Sequence, residues 1–270
     1  ELIHLGETEI WRDPLENLKP VLTQPPVFTS DQASVWQQLV PQLNDPRQCK
    51  PNLLVGVTGS GKTEIYLRAA AETLALGRGV IILVPEISLT PQTVKRFFAR
   101  FPGKVGLVHS RLSAGERYDT WRRIRSGQLP IVIGARSALF SPLPDPGLIV
   151  IDEAHDPSYR QEDTQPHYDA VNTAGSLGRI TGGCLILGSA TPGVETLYRF
   201  ERNRWNVAHL PNRVLSHADQ PDRTAPAQAV FGELPAVEVV DMRRELSDGN
   251  RSAISRALHN ELAGVLQRGE

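Results

Sequence analysis

The chain has 270 residues, 40% of them hydrophobic and 22% charged, with a formal net charge of −1; that is enough to bury a full core and gives no general attraction to polyanions. No apolar run approaches the ~20 residues that span a bilayer, and the opening "ELIHLGETEIWRDPLE" lacks the basic-then-apolar order of a secretory signal, so no membrane partner is expected and the protein is read as cytoplasmic. The two cysteines, Cys49 and Cys184, have no C-x-x-C spacing; neither a disulfide framework nor a four-coordinate zinc site follows from them, and both are expected to be packing residues.

Residues 1–27 show no sustained periodicity and read as a tail or a connection from a preceding domain. A helix is expected from "FTSDQASVWQQLV", opened by Thr29 and Ser30. From there short apolar runs at 53–57, 80–84, 105–108, 131–134, 148–152 and 185–187 alternate with helical patterns. Parallel strands cannot be joined by tight turns, so this alternation predicts crossover helices. The runs are apolar nearly throughout, as strands covered on both faces are. The fold class expected is α/β, a mostly parallel sheet with helices on both faces, over residues 28–212. Between 95 and 136, ten Lys or Arg stand against Glu116 and Asp119, a local net of 10 − 2 = +8. This segment reads either as the solvated face of a helix, "ERYDTWRRIRSG", or as the lining of a nucleic-acid path. Residues 213–235 are expected to form a linker. Residues 236–270, with the strand-like "AVEVVDM" and a final amphipathic pattern, read as the approach to a second, truncated lobe.

Gly56-Val-Thr58-Gly59-Ser60-Gly61-Lys62-Thr63 satisfies G-x-x-x-x-G-K-[ST] at every fixed position. Its glycines allow backbone N–H groups to turn inward around phosphates, Lys62 reaches the β and γ oxygens, and Thr63 offers a hydroxyl to Mg²⁺. The following helix adds the positive end of its dipole. A second carboxylate site comes from "LIVIDEAH", in which four apolar residues lead to Asp152 and Glu153 at a strand's carboxyl end, where ligands bind in such sheets. Asp152 is expected to hold Mg²⁺ and Glu153 to orient and deprotonate a water. ATP and Mg²⁺ are therefore the expected substrate and cofactor.

The phosphate loop together with Asp152-Glu-Ala-His155 resembles the DEAH-type helicases and translocases of superfamily two. "LVPEISLTPQT", "GARSALFSPL", "DEAHDPSYRQED" and "LGSATPGVETL" narrow the resemblance to the PriA family of primosomal replication-restart helicases, across roughly residues 26–212. The resemblance implies a RecA-like lobe that moves on single-stranded or forked DNA. Gln32 would read adenine, although Thr29-Ser-Asp-Gln32 is also a capping box. His155 would couple the nucleotide site to Ser189-Ala190-Thr191. Pro85, Glu86, Thr90, Arg136 and Ser137 would touch a DNA strand, with Arg136 on a phosphate or, on the plain reading, in a surface ion pair. The polar loop carrying Tyr159, Arg160, His167 and Tyr168 would sense DNA by stacking on its bases. Here the sequence departs from the family's Arg-Tyr-x-Ala-Arg-Asp pattern, with His167-Tyr168-Asp-Ala-Val171-Asn172 in its place.

The start on Glu1 and the unfinished second lobe read as a piece of a longer protein. An arginine from that second lobe would complete the site, so the lobe alone is expected to bind ATP and Mg²⁺ but to turn over slowly. Zinc and contacts to other replication-restart proteins are expected only in the parts of the intact protein beyond these motifs. The other readings are a P-loop kinase or metabolic NTPase, a fork-remodelling translocase without strand separation, and an interaction platform with weak ATPase.

Overall fold

In the computed structural model the described residues are 11–15, 24–45, 49–85, 91–215, 230–232 and 237–268. Helix α1 (Ser30–Asn44) opens with both halves of the capping box: Thr29 Oγ accepts from the Gln32 N–H at 3.2 Å and Gln32 Oε1 accepts from the Thr29 N–H at 3.0 Å. Then come β1 (Asn52–Gly56), α2 (Lys62–Ala75), β2 (Gly79–Leu83), α3 (Pro91–Arg100), β3 (Val105–Val108), α4 (Ala114–Arg125), β4 (Ile131–Gly134) and β5 (Pro146–Ile151). A short antiparallel pair, β6 (Arg160–Gln161) and β7 (Tyr168–Asp169), precedes α5 (Ala170–Thr181), β8 (Cys184–Ser189), α6 (Val194–Asn203) and β9 (Asn206–Leu210).

Seven strands form one parallel sheet in the order β3-β4-β2-β5-β8-β1-β9. Alternate residues go to opposite faces. Leu54, Ile82, Ile133, Val150 and Ile186 pack with Val35 and Leu39 of α1, Ile65 of α2 and Phe97 of α3. Leu53, Ile81, Val132, Ile149 and Leu187 pack with Ile124 of α4, Ala174 of α5 and Phe200 of α6. The expected α/β class and all six expected strands form. The strand not expected is β9, whose Asn206 and His209 interrupt the apolar run; it lies at the sheet's edge on β1, where polar residues are tolerated.

The cysteines require a correction. Cys49 leads into β1 and Cys184 opens β8, two neighbouring strands, so the Cα atoms lie 5.3 Å apart and the sulfurs are bonded. A separation of 135 residues hid this from sequence spacing. The described part of the expected tail, residues 11–15, is fastened to α4: the Arg12 N–H donates to Asp119 at 3.1 Å, Asp13 pairs with Arg123 at 2.7 Å and Leu15 is buried.

The chain divides into two compact units, Glu1–Gly232 and Glu233–Glu270. The first ends in an antiparallel pair, β10 (Arg213–Leu215) with β11 (Val230–Gly232), within the stretch expected as linker. The second contains α7 (Met242–Ser247), capped by Asp241, and α8 (Arg256–Arg268). Residues 237–241 of the strand-like "AVEVVDM" form no strand, and Val237 and Val239 are exposed. β-branched residues favour a strand through packing against a partner, and none is present for them among the described residues.

Candidate nucleotide-binding site and its rim

β1 ends at Gly56 and α2 begins at Lys62, and the loop between them turns at Gly59 and Gly61, whose φ values of 82° and 87° are left-handed. A Cβ on Gly56 would lie 2.5 Å from Ser60 Oγ, and one on Gly61 would run into the Gln32 side-chain amide. The loop thus has no room for side chains at its two ends. Lys62 is buried, and its Nζ donates to the Gly56 carbonyl at 2.6 Å and to the Val57 carbonyl at 3.4 Å. Ser60 Oγ is buried without a hydrogen-bond partner. A buried hydroxyl ordinarily has one, so the orphaned oxygen and an ammonium resting on loop carbonyls both fit an anion seated in the cradle. Gln32 Nε2 donates to the Gly61 carbonyl at 3.4 Å, tying the start of α1 to the loop while its oxygen serves the capping box. Thr58 is exposed and Thr63, in the first turn of α2, is half-buried.

Only β8 separates β1 from β5, which delivers Asp152 immediately beyond Ile151. The Asp152 N–H donates to the Leu83 carbonyl at 2.9 Å, and its Oδ1 accepts from the Tyr66 hydroxyl at 3.0 Å. Burial and then the neighbouring Glu153 charge push the Asp152 carboxyl above the ordinary carboxylate range, while the Tyr66 hydrogen bond and the Lys62 charge pull it down. The lysine-tipped cradle and the acidic strand end therefore share one site. Burial and the same carboxylate raise the Tyr66 phenol well above its ordinary value, so it stays protonated as a donor. Gly188 of β8 lies between them: a Cβ there would strike the Tyr66 hydroxyl and come within 3.2 Å of Asp152 Oδ1.

Among the described residues no three His, Cys, Asp or Glu side chains gather into a metal cage. Mg²⁺ in nucleotide sites takes one or two protein oxygens and fills the rest of its shell from phosphates and water. The Thr63 hydroxyl and Asp152 carboxylate are a donor set of that kind.

Glu153 has a φ of 46°, a left-handed conformation for a residue with a side chain. That conformation costs roughly 1–2 kcal/mol, and the flanking backbone is held by the Ala154 N–H on the Gly188 carbonyl at 2.8 Å and the Asp156 N–H on the Glu153 carbonyl at 2.8 Å. His155 Nδ1 lies 2.8 Å from Ser189 Oγ and 3.7 Å from Glu153 Oε2. Ser189 is buried and its Oγ also accepts from the Thr191 N–H at 3.1 Å. The residues read as the coupling element, Ser189, Ala190 and Thr191, thus touch the acidic segment through one short side-chain bond.

The rim differs from expectation. Tyr159 is 2% exposed, part of the core on the α4–α5–α6 face of the sheet, and its hydroxyl donates to the Asp152 carbonyl at 2.6 Å. A ring so enclosed has no face for a base, so its assignment to DNA stacking is corrected to support of the acid. Pro85 is buried as well and is not displayed on the rim. Arg136 spends Nη1 on the Ser158 and Arg160 carbonyls, at 2.9 and 3.1 Å, and clamps the loop that follows the acids. Tyr168 is half-buried, edge-on to Phe140 with centroids 5.1 Å apart. Burial raises its phenol despite the nearby Arg136. Ser137, Arg160 and His167 are exposed. Glu86 and Thr90 lie outside the described residues. Sequence reasoning missed Tyr66, although it stands four positions after Lys62 and so one turn along the same face of α2.

The family model described as DEAD/DEAH box helicase matches residues 29–200. The chain is similar to the replication restart protein PriA of Bacillus subtilis (strain 168), 40% identical over 262 residues, which cover 97% of this chain and 30% of that protein. It is 45% identical over 243 residues to the PriA of Synechocystis sp., covering 89% of this chain and 27% of that protein. The chain thus spans about 30% of the length of these curated relatives. Among solved structures, the structure of RecG bound to a three-way DNA junction superposes with a TM-score of 0.50 at 22% identity, covering 70% of this chain and 24% of that one. That likeness concerns the fold, a RecA-like α/β lobe.

Proposed function

The chain belongs to the DEAD/DEAH box helicase family, and we propose that it is the ATP-binding motor lobe of a DNA helicase or translocase acting in replication restart, coupling ATP hydrolysis to movement along single-stranded DNA. The observation that carries this reading is the meeting of buried Lys62 with Asp152 on either side of β8, whose last residue is bonded to His155. The similarity to PriA proteins supports the replication-restart part of it.

In this reading the loop N–H groups of Gly56, Thr58, Gly59, Ser60 and Gly61 take up the phosphates. Lys62 leaves its two carbonyls for the β and γ oxygens, and Gln32 faces the adenine. Thr63 and Asp152 hold Mg²⁺, which when bound neutralises charge on the transferred phosphoryl group. Glu153 orients the attacking water and accepts its proton. The His155–Ser189 bond carries the state of the phosphate site to the end of β8, and Arg136, Ser137, Arg160 and Tyr168 lie on the DNA side. A kinase or metabolic NTPase would have no use for that bond. The rest of the intact protein would hold zinc, the completing arginine and the partner-binding surfaces, and the whole would work in the cytoplasm.

The test is nucleotide binding and turnover by the intact protein, with and without single-stranded DNA. Lys62→Ala is expected to lose ATP binding, whereas Glu153→Gln retains ATP while turnover falls at least ~100-fold, within the range for a lost general base. ATPase activity that single-stranded DNA does not stimulate would end the motor reading.

A further inference from the structure

At the end of the sheet opposite the phosphate loop, the last turns of α4 and the docked segment around Trp11 form an open cleft of about 460 Å³. Trp11, Tyr118, Trp121, Arg122 and Arg125 make up most of its lining, and among the described residues no carboxylate lines it. α4 leaves the carboxyl end of β3 and returns to the start of β4, so its last turn lies at the amino edge of the sheet. This site is therefore separate from the one that holds Lys62 and Asp152.

The cleft is built rather than incidental. The buried Leu15, the Asp13–Arg123 pair and the Arg12–Asp119 hydrogen bond fix the segment that places Trp11. The Arg122 guanidinium then lies 5.1 Å from the Trp11 ring centre and 5.8 Å from that of Tyr118, and Arg125 lies 5.3 Å from that of Trp121. Nevertheless Tyr118 is 61% exposed and Trp121 42%, which leaves ring surface open to water. Tyr118 and Trp121 stand three residues apart on the helix, as do Arg122 and Arg125 beside them. Each pair is separated by ~4.5 Å along the axis. Two parallel rows result, one of rings and one of guanidiniums.

We propose that this cleft is a second binding site for single-stranded nucleic acid, with bases stacked on Trp11, Tyr118 and Trp121 and phosphates on Arg122 and Arg125. A single strand carries its bases and its phosphates in two adjacent rows, which the two rows on α4 match, and stacking on aromatic faces is indifferent to base identity. An acidic peptide would match the positive charge of the cleft but has no regular series of planar groups for the rings.

The experiment is photocrosslinking of a short oligothymidylate carrying 5-iodouracil to the intact protein without ATP, with crosslinked peptides mapped by mass spectrometry. Crosslinks at Tyr118, Trp121 or Trp11 are expected, and they persist in Lys62→Ala, which separates this proposal from the reading of the nucleotide site. Trp121→Ala is expected to remove them and to weaken binding of the oligonucleotide at the cleft about tenfold. Arg125 is exposed, so Arg125→Ala tests the same surface without threatening the fold, and it should reduce the salt dependence of binding by about 0.7 in the slope of log K against log salt. Crosslinks confined to the rim near Arg136, or an oligoglutamate peptide that protects the cleft while the oligonucleotide does not compete with it, would overturn the proposal.

Discussion

The phosphate-loop corner and the loop that follows the acids, which leave strands on either side of β8, differ in how directly their residue types state their roles. At the corner, backbone geometry requires glycines with left-handed φ, and the fold brings the Lys62 ammonium onto the loop carbonyls and within electrostatic reach of the Asp152 carboxylate at a strand end. In the loop, aromatic and basic residues read as a surface for DNA, yet Tyr159 is enclosed beneath the acid and Arg136 is engaged with loop carbonyls. Positions dictated by the main chain come together in the fold. Roles that depend on where a side chain points need a partner to fix the direction.

Tyr159 gives the sharpest way to break that contrast. As an enclosed ring, Tyr159→Ala is expected to destabilise the protein by about 3–5 kcal/mol, the range for large aromatic truncations. Tyr159→Phe keeps the ring and loses the bond to the Asp152 carbonyl, which costs about 1 kcal/mol. Denaturant unfolding of the two variants measures both. If Tyr159→Ala unfolded like the unaltered protein and only DNA affinity fell, the ring would belong to the DNA surface after all.

Tyr66 extends the comparison to the corner itself, because it is a support that no motif announces. Its hydroxyl lowers the pKa of an Asp152 carboxyl that burial and Glu153 have raised. Removing it in Tyr66→Phe must therefore raise that pKa further. The carboxylate is the form that binds Mg²⁺, so the acid limb of the ATPase pH profile should move to higher pH, and a hydrogen bond to a charged group worth about 1.5–3 kcal/mol is lost. A pH profile of turnover at saturating Mg²⁺ for both proteins checks the direction, and an unmoved limb would remove Tyr66 from the site.

The same carboxyl makes a smaller prediction about stability. Because the folded pKa of Asp152 is raised, its protonated form favours the fold. That contribution is complete below the unfolded carboxylate value and is lost as pH rises through the folded one. At neutral pH the ion is thus a cost to the unliganded protein. Asp152→Asn is expected to stabilise it by about 1 kcal/mol while abolishing turnover, a rise of roughly 2–4 °C in Tm. The gain should shrink as the pH is lowered, and thermal melts at two pH values would show it.

The sheet, its parallel sense and the corner were legible because they rest on local signals: buried apolar runs, crossover helices and a glycine-lysine loop at one strand end. β9 was not legible, since Asn206 and His209 break its apolar run, and the strand exists because β1 offers it an edge. The bond between Cys49 and Cys184 and the support of Asp152 by Tyr66 arise from strand order, which places β8 between β1 and β5. Gly188 belongs with them: nothing in "LILGSAT" says that a side chain there would collide with a tyrosine from α2. Conversely, "AVEVVDM" carries strand propensity without a partner to realise it.

Arg160 offers the smallest effect and the finest distinction within the loop. Its side chain is 61% exposed and lies 3.5 Å from Asp169 and 4.0 Å from Glu195. Exposed pairs of this length contribute about 0–1 kcal/mol, because water screens them and two long side chains must be held in place. Arg160→Ala should therefore leave the unfolding midpoint within error while weakening single-stranded DNA binding severalfold, with a shallower salt dependence from the loss of one phosphate contact. Tyr159→Phe should do the reverse, lowering stability and leaving the salt slope unchanged. If both variants lost stability together, the loop would act as one packed body, and neighbouring residues within it would not divide between core and surface as their burial implies.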